Sequence, residues 1–366
     1  MTVNVSKPAI NVREKLAELD KPTGIAGEAM LRAETPQEQF NLIGAGRRNL
    51  LINGDFQVWQ RGTTFSNLTA SDYTADRWIS YASSTSNTTT TRQSFSAGQT
   101  DVEGNPKYFL RLDNTPDADT TWMELFQRVE DVTYFSAVYV TLSFWIKSNR
   151  NSVSDNNFFS FRQNFGSGGS STVSTASSTF EISTSWEKKT LTVHLPSISG
   201  KTVGTGSYLE VHLAQSSSVT ADTYYDIANV QLEVGKVATP FEHRSYGEEL
   251  ALCQRYFFKM DFPQTSLIGS GWRHTTATVR CTITAPVTMR TTPSINSSGQ
   301  PTWGIAWTDA GSNYTQTITS GTAWSIVGSS LDNNRITIAA GGISGLSSVM
   351  GGLFGYSGDF DFDAEL

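Results

Sequence analysis

The chain has 366 residues, of which 38% are hydrophobic and 17% charged, and its formal net charge is −7. Serine and threonine fill 89 positions (44 and 45), and aromatic residues make up 11%. β-Branched and aromatic side chains fit pleated sheets, so this composition argues against a helical bundle or a coiled coil. The sequence has no Lys/Arg cluster that could bind the phosphates of a nucleic acid. A chain of this length can bury a sizeable core in two or three domains.

Residues 1–48 are predicted to form a short helical arm. Asn11 can cap a helix over 12–19, and Thr35 opens a capping box that has Pro36 at the first helical position. Helices this short cannot build a core alone, so their apolar side chains need burial against another surface. The segment is therefore interpreted as an assembly arm. The apolar residues of this arm are Leu16, Leu19, Met30, Leu31, Phe40, Leu42 and Ile43.

From about Leu50 onward, apolar and polar residues alternate with period two. The clearest such segments are 138–147, 190–195, 208–213 and 225–234. Short alternating segments bounded by Gly, Asn, Ser or Pro are typical of antiparallel sandwiches. We therefore expect a jelly-roll-like β-sandwich over 49–244. Two stretches rich in Ser and Thr, Ser83–Thr91 and Gly166–Thr179, are predicted to be exposed loops.

A second capping box begins at Ser245 and predicts a helical linker over 245–258. Strand patterns then resume, which predicts a second antiparallel β-sandwich over 259–366. The fold class is thus mainly β, with a short helical N-terminal arm followed by two sandwich domains.

The sequence ends on a strand in which acidic residues alternate with aromatic ones. Asp359, Asp361 and Asp363 fall on one face, while Phe360 and Phe362 fall on the other. Three carboxylates on one face can bind Ca²⁺. A solvated acidic face with the phenylalanines turned to the core is the favoured interpretation.

Signs of catalysis are absent from the sequence. It contains no G-x-S-x-G elbow, no P-loop and no H-E-x-x-H motif, so we expect a protein that is not an enzyme. His194 and His212 alternate with apolar residues and are predicted to face solvent. Cys253 and Cys281 are predicted to be buried free thiols, as in proteins made in a reducing compartment.

One aromatic group is the candidate for glycan binding. Trp303 and Trp307 flank a short segment near Gly and Pro residues, and Tyr314 follows. Exposed aromatic rings can stack on the apolar faces of sugars. These three residues are predicted to form a platform for a glycan.

Several motifs resemble the jelly-roll domain of bacteriophage tail fibres. They cover about 49–258 in the expected order, and the strand with Phe144 and Trp145 lies between them. The motifs are NLLINGDFQVWQRG (49–62), TADRW (74–78), DIANVQLEVG (226–235), ATPFE (238–242) and CQRY (253–256). The tail, with 289–293 and 363–366, also resembles the distal domain of such fibres. The arm is similar to the virion-anchoring segments of podovirus-like phages.

The resemblance implies a homotrimeric virion protein made in the host cytoplasm, with its N-terminus on the particle and its C-terminal domain outward. Its arm would dock onto virion tail or portal-proximal adaptor or nozzle proteins, and its partner outside would be a host surface polysaccharide. Jelly rolls of this kind are similar to carbohydrate-binding modules with a structural calcium, and the matching positions here are Asn53, Asp55 and Asp226. No other cofactor, no nucleic acid and no membrane insertion are expected.

These expectations leave three functions open. The first is a tail fibre that attaches the particle to a host glycan. The second is a capsid (head) fibre or decoration protein of the same architecture. The third is a polysaccharide depolymerase, although the long parallel β-helix of such enzymes has no counterpart in this sequence.

Overall fold

The computed structural model describes residues 47–366 with gaps. The described ranges are 47–68, 71–82, 88–114, 120–150, 157–175, 178–219, 222–275, 278–296, 303–309, 312–318, 324–329, 335–340 and 352–366. The arm residues Leu16, Leu19, Met30, Leu31, Phe40, Leu42 and Ile43 lie outside them.

The strands are numbered here in chain order. The first half contains β1 Thr64–Phe65, β2 Asp72–Tyr73, β3 Trp78–Ala82, β4 Thr88–Ser94, β5 Tyr108–Asn114, β6 Thr120–Glu130, β7 Tyr139–Ser148, β8 Asn157–Asn164, β9 Val173–Ser174, β10 Ser178–Thr179, β11 Glu187–His194, β12 Tyr208–Val219 and β13 Thr223–Val234. The second half contains β14 Phe257–Thr275, β15 Thr278–Thr284, β16 Ser294–Asn296, β17 Trp303–Asp309, β18 Ser312–Ile318, β19 Trp324–Ser329, β20 Arg335–Ala340 and β21 Gly352–Asp363. A 3₁₀ turn spans Val132–Phe135, and the helix α1 spans Tyr246–Gln254.

Within the described residues the strands form three antiparallel sheets. Sheet I has the order β1-β4-β5-β13-β7-β11, and sheet II has the order β10-β8-β12-β6-β3-β2 with β9 beside β8. Sheet III has the order β18-β17-β21-β14-β15-β20-β19 with β16 beside β21. The predicted mainly β class, with antiparallel sandwich-like sheets and a short helix, is confirmed.

Sheets I and II bury one common core. Leu142 and Phe144 of β7 contribute from sheet I, and Phe161 and Val211 contribute from sheet II. Burying each such side chain stabilises the fold by about 1.5–3 kcal/mol. The alternation seen in the sequence places these residues on the inner faces, so residues 49–234 close into a sandwich.

The motif around Gly54 fixes the start of the sandwich against its last strand. The Gly54 carbonyl accepts a hydrogen bond from Val230 N (2.8 Å), and a Cβ at position 54 would collide with the Val230 carbonyl oxygen. Asn49 Nδ2 donates to that same carbonyl oxygen (2.9 Å), and Asn49 Oδ1 accepts from Leu232 N (3.0 Å). Glycine is needed here because two backbones approach closely.

The two predicted Ser/Thr loops are only partly loops. Thr88–Ser94 is the strand β4, in which Thr88 and Thr90 are buried, whereas residues 83–87 lie outside the described part. Threonine is β-branched and suits a strand, and Thr90 Oγ1 donates to Ser80 Oγ at 2.9 Å, which satisfies a hydroxyl in the core. The second stretch likewise contains β9 and β10.

The helix α1 and sheet III follow the sandwich. Ser245 caps α1, as predicted, because its Oγ accepts a hydrogen bond from Glu248 N (3.3 Å). Strand β14 begins at Phe257, and two residues separate it from the end of the helix at Gln254. Sheet III has its own core, which includes Ile283, Ile338, Phe360 and Phe362. The prediction that Phe360 and Phe362 face inward is therefore confirmed.

The end of β21 returns to the sandwich and forms a charged junction. The buried Arg77 pairs with Glu365, and its guanidinium lies 3.5 Å from the centre of the Tyr256 ring. Arg61 contacts Asp363 (3.1 Å) and Glu365 (3.3 Å). Gln60 Nε2 also donates to Phe257 O (2.8 Å), and Phe257 is the register partner of Asp363. The sandwich thus contacts both strands of the β14–β21 pair at the same end of that pair.

Two further expectations can be compared with the structure. Cys253 and Cys281 are buried free thiols, as predicted. In the described ranges, the helix is neither long nor apolar enough to cross a membrane.

Candidate functional site

The outer face of sheet II is the candidate site. Leu209, Val211 and Leu213 of β12 enter the sandwich core, so Tyr208, Glu210 and His212 project from the opposite face. We call this surface, formed by Tyr208, Glu210 and His212 together with Glu124, Phe126 and Arg128 of β6 and Arg162 of β8, the outer face. The strand register sets these side chains beside one another across three strands.

His212 is buried. Its alternation with apolar residues predicted a solvent-facing side chain, and that prediction is wrong. Its side chain is 1% exposed, with Nδ1 3.2 Å from Glu124 Oε2 and Nε2 3.3 Å from Glu210 Oε2. The alternation identified the correct face of the strand, but the side chains of Glu124 and Phe126 on the neighbouring strand β6 cover the imidazole on that face. His194, by contrast, is exposed as predicted.

The two carboxylates favour the charged imidazole. Burial alone would lower the pKa of His212, but the hydrogen bonds with Glu124 and Glu210 outweigh it and raise that pKa. Burial would likewise raise the pKa of Glu210, but His212 and Arg128 lower it below its ordinary value. Glu124 and Glu210 therefore both favour the protonated form of His212.

Arginine and aromatic side chains surround this pair. Arg128 Nε donates to Glu210 Oε1 (3.1 Å), and Arg162 Nη1 lies 3.9 Å from Glu210 Oε2. The Arg128 guanidinium lies 4.9 Å from the centre of the Tyr208 ring, and Phe126 stacks on His212 with centroids 4.8 Å apart. Half-buried Arg128, Tyr208 and Arg162 form the part of the outer face that solvent reaches.

The outer face combines groups that suit a polar ligand with aromatic rings. The guanidinium groups donate hydrogen bonds, the carboxylates accept them, and the Tyr208 ring offers an apolar surface. Sequence reasoning missed Glu124, Arg128 and Glu210. The signal available was the set of charged residues that alternates with the core residues of β6 and β12.

The predicted glycan platform falls on the hairpin β17–β18. The register sets Trp307 opposite Tyr314, and it sets Trp303 opposite Ile318. Strand β17 pairs with β21 at Gly355–Leu353, about 30 Å along that strand from the junction at Asp363. The side chains of Trp303, Trp307 and Tyr314 lie outside the described part, so the platform stays a prediction.

The three residues predicted to bind calcium do not share one set of contacts. Asn53 Oδ1 accepts from Val58 N (2.9 Å), and its Nδ2 donates to Val58 O and Asp76 O. Asp226 is fully buried and accepts two hydrogen bonds from Arg111 (2.7 and 2.9 Å), with Lys147 Nζ at 3.7 Å. Both side chains are already engaged, so they do not fit a common calcium site.

Asp55 differs from the other two because one of its oxygens is available. Its Oδ2 accepts from Gln57 Nε2, whereas buried Oδ1 has no hydrogen-bond partner. Burial raises the pKa of Asp55. Across the Gly54–Val230 bridge, Asn229 Oδ1 is also buried without a partner. No group of three or more His, Cys, Asp or Glu side chains that could hold a metal occurs among the described residues, so calcium binding stays a prediction.

Trp145 and Trp186 belong to a small core on the other side of the sandwich. They pack with Phe95 and Phe109, and the rings of Phe109 and Trp186 meet edge to face at 5.4 Å. This packing stabilises the loop before β5 against sheet I. The two tryptophans therefore have a structural role in the described contacts.

Comparisons with known proteins complete this description. No family model matches the sequence. No curated protein matches it either. Among solved structures, the enzymatically active domain of bacteriophage CBA120 tailspike protein 4 is 16% identical, with a TM-score of 0.32, and the match covers 51% of this chain and 21% of that one.

Two carbohydrate-binding modules show similar values. The CBM22-1 xylan-binding domain of Paenibacillus barcinonensis Xyn10C is 14% identical, with a TM-score of 0.31 over 53% of this chain and 99% of that one. The family 11 module of Clostridium thermocellum is 12% identical, with a TM-score of 0.30 over 49% and 99%. Likenesses at this level do not transfer a fold or a function to this chain.

Proposed function

We propose that this chain is a non-enzymatic virion protein of a bacteriophage, a trimeric tail fibre that attaches the particle to a host surface glycan. The observation that carries the proposal is the outer face, where Arg128 lies over the Tyr208 ring beside the Glu210–His212 pair. Sugars offer apolar faces and hydroxyl groups, and this surface has a matching ring and matching donors and acceptors. The motifs at 49–62 and 226–235 support the assignment to a phage fibre.

Binding to a printed array of bacterial surface oligosaccharides tests the glycan proposal. We expect the full chain to bind a subset of spots, and the Tyr208→Ala variant to lose at least tenfold in affinity. Tyr139→Ala is the matched control, because Tyr139 is 42% exposed at the start of β7 in sheet I. Equal binding by the wild type and Tyr208→Ala would remove the outer face as the site.

The arm is proposed to attach the fibre to tail or portal-proximal proteins. Deleting residues 1–45 should leave a folded trimer by analytical ultracentrifugation that no longer enters particles. Trimers supply avidity, because several weak contacts act together. Assembly of the truncated protein onto virions would contradict the anchor role.

Immunogold on capsid vertices would favour a head fibre over a tail fibre.

A depolymerase is the second candidate, favoured by one observation. Glu124 and Glu210 lie on either side of His212, and paired carboxylates are the groups used in glycoside hydrolysis. The pairing of both carboxylates with His212, and of Glu210 with Arg128, supports a binding role instead. Purified chain incubated with bound polysaccharide should release no oligosaccharide, and release that Glu124→Gln abolishes would establish the enzyme.

A further inference from the structure

A cleft of about 450 Å³ lies between the sandwich and the sheet III unit. Clefts of about 300–1,000 Å³ at domain boundaries are the usual size and place of small-ligand sites. One wall consists of Asp131, Thr133, Val203 and Ser207 from the sandwich. Arg255 and Arg290 line the opposite wall.

The chemistry of the cleft favours an uncharged, hydroxyl-rich ligand. Glu130 and Asp131 balance the charges of Arg255 and Arg290, so a strongly anionic or cationic ligand gains no net attraction. The Thr133 hydroxyl donates to Asp131 Oδ1 (2.5 Å), so toward a ligand it offers an acceptor. The Ser207 hydroxyl accepts from Val132 N (3.4 Å), so toward a ligand it offers a donor. Val203 is 39% exposed and adds an apolar patch for a sugar C–H face.

Several of these groups are held in place by neighbours. Arg255 Nη2 lies 3.1 Å from Glu130 Oε2, and Arg290 donates to the carbonyl oxygens of Ala364 and Glu365 at 2.7 Å each. Asp131 has a φ of 63°, a left-handed conformation that is costly for a residue other than glycine. Such conformations occur often at binding sites, because the surrounding structure holds them there.

The cleft begins where the outer face ends. Glu130, which lines the cleft, lies opposite Tyr208 in the β6–β12 register, and Ser207 directly precedes Tyr208. We propose that this cleft binds a short uncharged saccharide segment, as a continuation of the glycan that the outer face contacts. The inference rests on the proposed function and adds a second contact region, between the two structural units.

The experiment compares variants of the full chain on the best-bound neutral oligosaccharide of the array. Val203→Trp should fill the cleft, and Thr133→Val should remove one hydroxyl without changing side-chain size. We expect a loss of at least tenfold in affinity for Val203→Trp and about three- to tenfold for Thr133→Val, measured by isothermal titration. Val237→Trp is the matched control, since Val237 is 43% exposed and is not among the residues that line the cleft.

The outcomes separate this inference from the proposed function. If Tyr208→Ala loses affinity while both cleft variants bind like the wild type, the outer face is a glycan site and the cleft is not. Absence of glycan binding by the wild type contradicts both the proposed function and the inference on the cleft. Thermal unfolding of each variant confirms folding, and saturation-transfer NMR on Thr133→Val adds a second readout: the ligand protons nearest the cleft should lose their signal.

Discussion

At the residue scale, the charges of the outer face depend on one another. With His212 protonated, three cations (His212, Arg128 and Arg162) face two carboxylates (Glu124 and Glu210). The imidazole and both carboxylates are mostly buried, so none of them recovers full hydration if its partner is removed. Substitution of one of these three side chains should therefore lower the free energy of unfolding by more than the interaction itself contributes.

His212→Leu is expected to destabilise the fold. It leaves Glu124 and Glu210 buried without their shared cation, which costs about 3–5 kcal/mol in the free energy of unfolding. Urea denaturation at pH 6 measures the difference. His194→Leu, at an exposed position of β11, should change stability by about 0.5 kcal/mol or less. Equal effects of the two substitutions would contradict the buried pair.

The contribution of His212 to the free energy of unfolding should decrease as the pH rises. The pKa of His212 is raised in the folded state, so the stability it adds is complete below its ordinary value, near 6.5. That stability is lost as the pH rises through the folded pKa. The difference between the wild type and His212→Leu should therefore shrink between pH 6 and pH 9. A difference that stays constant or grows would mean that His212 is neutral in the fold.

Calcium is predicted at Asn53, Asp55 and Asp226, and Asp55 is the one of the three with a carboxylate oxygen that has no hydrogen-bond partner. A cation on Asp55 Oδ1 would stabilise the folded chain by about 2.7 kcal/mol at a concentration of 100 Kd. Calcium should thus raise the Tm of the wild type, and EDTA should reverse the rise. Asp55→Ala should abolish the response, whereas Asp101→Ala, at an exposed site, should keep it. An unchanged Tm in the wild type would end the calcium prediction.

At the element scale, the sequence periodicity predicted the strands well where inner and outer faces differ. Strands β7, β12 and β13 match the alternating segments, because one face of each enters the core. Strand β4 was not predicted, because its first four residues are all threonine and therefore give no alternation of apolar and polar residues. The contacts of His212 were out of reach for a similar reason: Glu124 is 88 positions away, and local periodicity does not report which distant strand becomes a neighbour.

The cap of α1 gives a test at this scale. Ser245→Ala removes the oxygen that accepts from Glu248 N, which should cost about 1 kcal/mol. Ser96→Ala, in an exposed turn, is the control with no expected change. Urea denaturation of the two variants gives the comparison. A loss below about 0.3 kcal/mol would show that the helix is held by packing alone.

At the scale of the whole molecule, the junction joins two units with separate cores. Arg77 is buried, and its charge is met by Glu365, whose side chain is 4% exposed. Tyr73 Oη donates to Leu366 O at 3.0 Å, so the last residues of the chain lie against sheet II. The candidate glycan hairpin lies at the other end of β21, and the outer face lies close to the junction.

Glu365→Gln tests how strongly the junction couples the two units. It removes the carboxylate from buried Arg77, which should cost about 3–5 kcal/mol. We expect hydrogen exchange to rise in β21 and in the first residues of β14, while β7 stays protected. Glu103→Gln, at a side chain that is 75% exposed, is the control. Unchanged exchange in β21 would show that the ion pair does not hold the junction.

The pairing of β14 with β21 has a mechanical consequence for the fibre proposed above. Chain entry at Phe257 and chain return at Asp363 lie side by side at the junction, and both strands run outward from it together. A pull on the far end of sheet III therefore loads both strands in the same direction, so the two backbones share the tension and the hydrogen bonds between them are not sheared. Such tension would reach the sandwich through the contacts of Arg61 and Arg77 with Glu365 at the charged junction.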